Sequence, residues 1–129
     1  MRRPSYQFHR IPVGIDNCYL LCGERTILID AGAPGHVKDF MRDMDRLGIS
    51  PREIDLILPT HGHADHIGCL RQIQHLTGAR IAMHEADCHW AESGSPGLPP
   101  GVTLWGRLLH GLGRVLYRPY IHPCEVHYV

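Results

Sequence analysis

Ile54-Asp55-Leu56-Ile57-Leu58-Pro59-Thr60-His61-Gly62-His63-Ala64-Asp65-His66-Ile67-Gly68 is the stretch on which fold and chemistry both turn. Its first five residues form a short apolar run of strand length, and Pro59 ends it because proline cannot continue a sheet ladder. Residues 60–64 read as a loop. Asp65 or His66 then opens a helix in which Ile67, Leu70, Ile73 and Leu76 recur every three residues until Gly78 closes it.

Within that loop, three histidines and an aspartate fall inside six residues, as H-x-H-x-D-H. With 11 His and 8 Asp in 129 residues, random order produces this pattern about once in 200 chains. Neutral imidazoles and a carboxylate are nitrogen and oxygen ligands that Zn2+ takes at about 2.0–2.2 Å. His61 and His63, two apart in an extended segment, project to the same side and can chelate one ion. Asp65 and His66 follow a bend and can face a second ion about 3.5–4 Å away. Gly62 and Ala64 are small enough to let the loop wrap closely. A polar loop with Asp65 as a plain N-cap is the competing explanation, and it leaves three crowded imidazoles without a purpose.

Working upstream, Tyr6–Val13, Cys18–Cys22 and Arg25–Asp30 read as strands, the last two joined by Gly23-Glu24 in a type II′ hairpin. Asp30-Ala31-Gly32 breaks the third, and Asp30 serves that turn before it serves a metal. From His36 to Leu47 the residues Val37, Phe40, Met41, Met44 and Leu47 make one helical stripe, with Gly48 as its stop. Ser50-Pro51-Arg52-Glu53 has the form of a capping box with proline in the first turn.

Downstream, Arg80–Met83 predicts a strand and Glu85–Glu92 a helix. Residues 93–101 (SGSPGLPPG) have linker composition, and 102–116 an amphipathic, glycine-weakened helix. Glu125–Val129 starts like another strand. Strands alternating with helices indicate an α/β domain, whose sites lie at the carboxyl ends of strands. The His-rich loop is placed there.

Thirteen basic side chains balance thirteen acidic ones, which gives no electrostatic footprint for nucleic acid or an anionic membrane surface. No apolar run reaches the ~18–20 residues of a membrane span, and no secretory h-region follows Met1. Five cysteines without a C-x-x-C pair read as reduced thiols of a cytoplasmic protein. His9, His36, His75, His89 and His110 are expected to be solvated or locally bonded, and His84 to lie on the surface.

Thr60-His61-Gly62-His63-Ala64-Asp65-His66-Ile67-Gly68 resembles the signature loop of the metallo-β-lactamase superfamily, with glyoxalase II-like hydrolases as the nearest branch. Asn17–Leu21, Ile27–Gly32 and Ser50–Leu58 are similar to that family's opening hairpin, its Asp-x-Gly turn and the segment entering the metal loop. The resemblance implies an αββα sandwich and two zinc ions, with iron or manganese as alternatives. It implies His61, His63, Asp65 and His66 as ligands, and Asp65 as the catalytic residue that orients the nucleophile or accepts its proton. The reaction implied is hydrolysis of a thioester, ester or lactone of a small molecule by hydroxide generated at the metals.

The same family takes further ligands from a Pro-Gly-His-Thr-like motif and from later strands. No Pro-Gly-His occurs here, and His122 and His127 lack that context. Residues 1–129 are therefore expected to be a single domain resembling the N-terminal half of the sandwich, with 102–116 as a lid helix and Trp105 as a substrate contact. The alternative function is a catalytically incomplete half-domain that binds metal weakly or works with other chains, homo-oligomerising through an exposed sheet face. Two other branches fit less well. The nuclease branch expects a basic groove, and the di-iron redox branch has Glu where His63 stands.

Overall fold

The computed structural model describes residues 5–97, 101–116 and 121–129. Strands β1 (Gln7–Val13), β2 (Asp16–Cys22), β3 (Thr26–Ile29), β4 (Ile54–Leu58) and β5 (Arg80–Ile81) form one sheet in chain order. The β1–β2 and β2–β3 pairs are antiparallel, and the β3–β4 and β4–β5 pairs are parallel. Helices α1 (Val37–Leu47), α2 (Ala64–Ile67), α3 (Leu70–Thr77), α4 (Glu85–Ser93) and α5 (Leu104–Leu116) connect or follow them. This is the mixed α/β architecture that the alternation of elements predicts.

The pleat sorts the sheet's residues into two faces. One cross-strand row reads His9, Leu20, Leu28, Ile57, Ile81, and its four apolar members are wholly buried. Against this face α1 packs on β1 and α3 on β4, through Phe40, Met44, Leu70 and Ile73. The opposite row reads Phe8, Leu21, Ile27, Leu56, Arg80, flanked by Tyr19, Ile29 and Leu58. Phe8 is 62% and Leu58 40% exposed, so this apolar face is partly open to water. Among the described residues there is one sheet, with α1 and α3 packed on one side of it.

Helix α1 ends at Gly48 in the left-handed conformation, and Ser50 and Glu53 close the capping box around a single 3-10 turn, both as the sequence predicts. Three expectations need correction. Gly23 does not have the positive φ that a type II′ turn demands; residues 23–25 form the turn, with the Gly23 amide on the Arg25 carbonyl at 3.1 Å. A side chain at Gly23 would meet the Tyr6 ring, so crowding, not backbone freedom, accounts for that glycine. The segment from Glu125 onward is not a strand; it runs beside β5 and makes one bridge, Ala82 to Tyr128. The third concerns the helix after the metal loop, which is split, with Gly68 and Cys69 between α2 and α3. No helix among the described residues is long and apolar enough to cross a membrane.

Candidate metal centre

The centre is built where β3 and β4 end side by side. Asp30, the residue after β3, takes a left-handed φ of 63°, a conformation aspartate tolerates because its short side chain bonds locally. Only 5% exposed, its carboxylate accepts from the Thr60 amide at 2.7 Å and the Thr60 hydroxyl at 2.9 Å. It also faces His66 Nδ1 at 3.0 Å. A buried carboxylate there makes Nδ1 the protonated nitrogen of His66, which leaves the Nε2 lone pair for another partner.

Backbone bonds latch the Asp30 turn to α2. The Ala31 amide donates to the His66 carbonyl at 2.8 Å, and the Gly68 amide to the Gly32 carbonyl at 2.8 Å. Gly68 has helical dihedrals, so backbone freedom is not its reason. A Cβ at Gly68 would strike the backbone of Ala33 and Pro34, so two motifs far apart in sequence approach only because this residue has no side chain.

The H-x-H segment is held from the other side by α4. Gly62 donates its amide to Asp87 Oδ2 at 3.2 Å, and Gly97 donates to the Gly62 carbonyl at 2.8 Å. The Trp90 ring lies over Gly62, 2.5 Å from where a Cβ would stand. Gly97 belongs to the stretch with linker composition, yet it is buried and bridges His63.

These supports bring all four predicted residues to one junction. The ring of His61 lies 4.0 Å, centre to centre, from that of His66 and 4.6 Å from that of His63. His61 Nδ1 pairs with the Thr60 hydroxyl at 3.0 Å. His66 Nε2 stands 3.6 Å from Asp65 Oδ2. The donor atoms that share one point, all within 4.8 Å of one another, belong to Asp65, His66 and Asp16, with His61 and His63 beside them.

Sequence reasoning missed Asp16. It opens β2 beyond the Gly14-Ile15 hairpin tip, just before the Asn17–Leu21 segment that carried the family resemblance. A carboxylate at that tip was the available signal. Asp87 and Trp90 were also missed, since a helix clamp on a loop 25 residues earlier has no local spacing rule.

The electrostatics suit a divalent cation. Burial, then the neighbouring His66 and His63, lower the His61 pKa from 6.5, which favours the neutral, ligating form. Burial pushes the Asp16 carboxyl up, and the facing Asp65 carboxylate adds to it. For Asp65, burial also acts upward, but the hydrogen bond with Asp16 and the histidines outweigh it and its pKa falls. One Asp16 oxygen, Oδ2, is buried without a hydrogen-bond partner. An orphaned carboxylate oxygen, a second carboxylate and a free imidazole nitrogen together are a donor set of the kind that zinc and similar ions bind.

The remaining histidines mostly follow expectation. His84 is exposed and caps α4 by accepting from the Ala86 amide, and His36 pairs with Asp39. His127 accepts from the Ile81 amide and so serves β5. His9 departs from the expectation of a solvated ring: it is half-buried at the edge of the helix-facing row, with Nε2 enclosed and unpartnered.

The chain is similar to known proteins in sequence and in fold. The model of the metallo-beta-lactamase superfamily matches residues 11–128. A probable metallo-hydrolase of Methanocaldococcus jannaschii is 46% identical over 50 residues, covering 39% of this chain and 23% of that protein. A metal-dependent hydrolase of Methanoculleus marisnigri is 30% identical over 105 residues, covering 81% of this chain and 39% of its own length. Among solved structures, a subclass B3 metallo-beta-lactamase of Bradyrhizobium japonicum superposes with a TM-score of 0.68 at 24% identity. That match covers 88% of this chain and 38% of the other, a likeness of fold. The chain thus spans between about a quarter and two fifths of the length of these proteins.

Proposed function

The chain belongs to the metallo-beta-lactamase superfamily, and we propose that it carries one portion of a di-zinc hydrolase site, with His61, His63, Asp65 and His66 as ligands. The observation that carries this reading is the placement of the His66 ring: Asp30 holds Nδ1 at 3.0 Å, and Nε2 faces Asp65. When bound, the cations supply Lewis acidity toward a carbonyl and lower the pKa of coordinated water. The chain's own residues do the rest. Asp30 and Thr60 hold the imidazoles of His66 and His61 in register, and Asp65 accepts or directs the nucleophile's proton. Trp90 and Gly97, packed on Gly62, keep the H-x-H segment in place.

The substrate class is a small molecule with an activated carbonyl: a thioester in the manner of glyoxalase II-like enzymes first, then an ester or lactone. The glyoxalase-like choice is supported by the motif resemblance, and fold alone does not fix chemistry. Cytoplasmic location is part of the proposal, supported by five cysteines that all stand as free thiols.

The test is metal content together with hydrolysis. Purified chain should retain divalent zinc and cleave a thioester or aryl ester, and His61→Ala or Asp65→Ala should abolish both. Full metal retention and activity in either variant would remove these residues from the site.

A second reading is a part-site that becomes competent only with further chain or a second copy. It is supported by the apolar face carrying Phe8 and Leu58, and by α5, where Trp105, Leu108, Leu109 and Leu112 are all more than half exposed. Its mark is weak metal binding by an associating species. A monomer holding two zinc ions tightly would exclude it.

A further inference from the structure

We propose that Asp16, at the foot of β2, is a third protein ligand to the cation held by Asp65 and His66. The inference rests on the metal-site reading above and extends it to a residue outside the H-x-H-x-D-H motif. Three observations carry it.

The first is distance. Two donors on one ion stand at most about 4.2 Å apart, twice a bond of ~2.1 Å. The donors of Asp16, Asp65 and His66 all lie within 4.8 Å of one another, so small side-chain rotations close the set on an ion. The second is the unpartnered oxygen. Asp16 Oδ2 is buried with no hydrogen-bond partner, and an acceptor in that condition carries a desolvation cost until something positive reaches it. The third is charge. The ion pair recorded for Asp65 is with His66, and among the described residues no arginine or lysine pairs with Asp16 or Asp65. Among the described residues, the two facing carboxylates therefore have no permanent countercharge.

The backbone explains how a residue so far from the loop arrives there. Asp16 pairs with Val13 across the β1–β2 hairpin, and the Ala33 amide donates to the Val13 carbonyl at 3.2 Å. That bond fastens the hairpin end to the same Asp30 turn that latches α2. Three ligands from the protein are also what a catalytic zinc ordinarily has, leaving one position open for water and substrate.

The alternative explanation is a proton shared between the two carboxyls. Titration of the whole metal-free chain with Zn2+ by calorimetry, and with Co2+ by visible absorption, separates the two. For a ligand, Asp16→Asn weakens one binding event by at least about tenfold and alters the Co2+ spectrum, and Asp16→Glu restores part of the affinity. For a shared proton, Asp16→Asn binds both cations as the unaltered chain does, while Asp65→Ala does not; that result overturns this inference and leaves the metal-site reading standing. If the unaltered chain takes up neither cation, both fall. Asp16→Asn is isosteric, and a native near-ultraviolet dichroism spectrum certifies its fold.

Discussion

Asp30 Oδ2 lies 3.0 Å from His66 Nδ1 across 36 residues of sequence, and with the backbone bonds from Ala31 and Gly68 that contact ties the turn after β3 to the His-rich loop and α2. The same carboxylate holds the Thr60 amide and hydroxyl, so one buried group orients both ends of the His61–His66 segment. Asp30→Asn keeps a residue able to occupy a left-handed φ but loses the charge that fixes the imidazole. Zinc affinity is expected to fall 10–100-fold with a small change in stability. Asp30→Ala adds strain of about 1–2 kcal/mol at φ 63° and should also lower the melting temperature. Calorimetric zinc titration and thermal melts of the two variants check this; equal zinc affinity in Asp30→Asn would contradict it.

The pH dependence follows from His61. Burial foremost, then His66 and His63, lower its pKa from 6.5 in the folded chain. The unfolded chain therefore binds the proton first on acidification. Stability carries no penalty from His61 above about pH 6.5, then drops as pH falls toward the depressed folded value. Metal-free protein should melt at progressively lower temperature below pH 6.5, and His61→Gln should flatten that slope. Zinc should raise the melting temperature more at pH 7.5 than at pH 6, because the ligating imidazoles must be neutral. An unchanged slope in His61→Gln would assign the titration to another group.

How much of this was legible in the sequence depends on sequence separation. The metal loop, the α1 stripe, the stop at Gly48 and the Ser50–Glu53 capping box rest on spacings of two to four residues, and each is where those spacings put it. The place of Asp16 beside Asp65 depends on strand order, hairpin register and the latch through Ala33, none of which a local pattern encodes. Gly23 misled for a related reason. Its glycine makes room for Tyr6, and the same letter would have served a left-handed turn. The terminal strand failed because its neighbour β5 is two residues long, so β propensity there yields only one bridge.

Gly62 tests the clamp on the H-x-H segment. A Cβ there would stand 2.5 Å from Trp90 Cδ1, so Gly62→Ala must push the indole or the loop aside. Overpacking of this kind costs about 1–3 kcal/mol, and here the displaced element carries His61 and His63, two of the proposed ligands. Zinc stoichiometry should drop as well as stability. Gly62→Ala combined with Trp90→Ala should recover part of the zinc binding, because the double variant removes the clash. No recovery would show that the loop, not the indole, had moved.

Ile57 and Leu58 are consecutive in β4 but point to opposite faces, and their responses should diverge. Ile57 is wholly buried under the helices, and Ile57→Ala is expected to cost about 2–5 kcal/mol as it opens a cavity. Leu58 is 40% exposed on the open face, and in an isolated chain Leu58→Ser should stay within about 0.5 kcal/mol. If a second copy covers that face, the result changes in kind. The unaltered chain would then melt at a temperature that rises with concentration, by mass action on a native dimer. Leu58→Ser would abolish that rise and shift the species to monomer mass in light scattering. Concentration-independent melting of both proteins at monomer mass would leave the face uncovered by its own kind, and association through it would be ruled out.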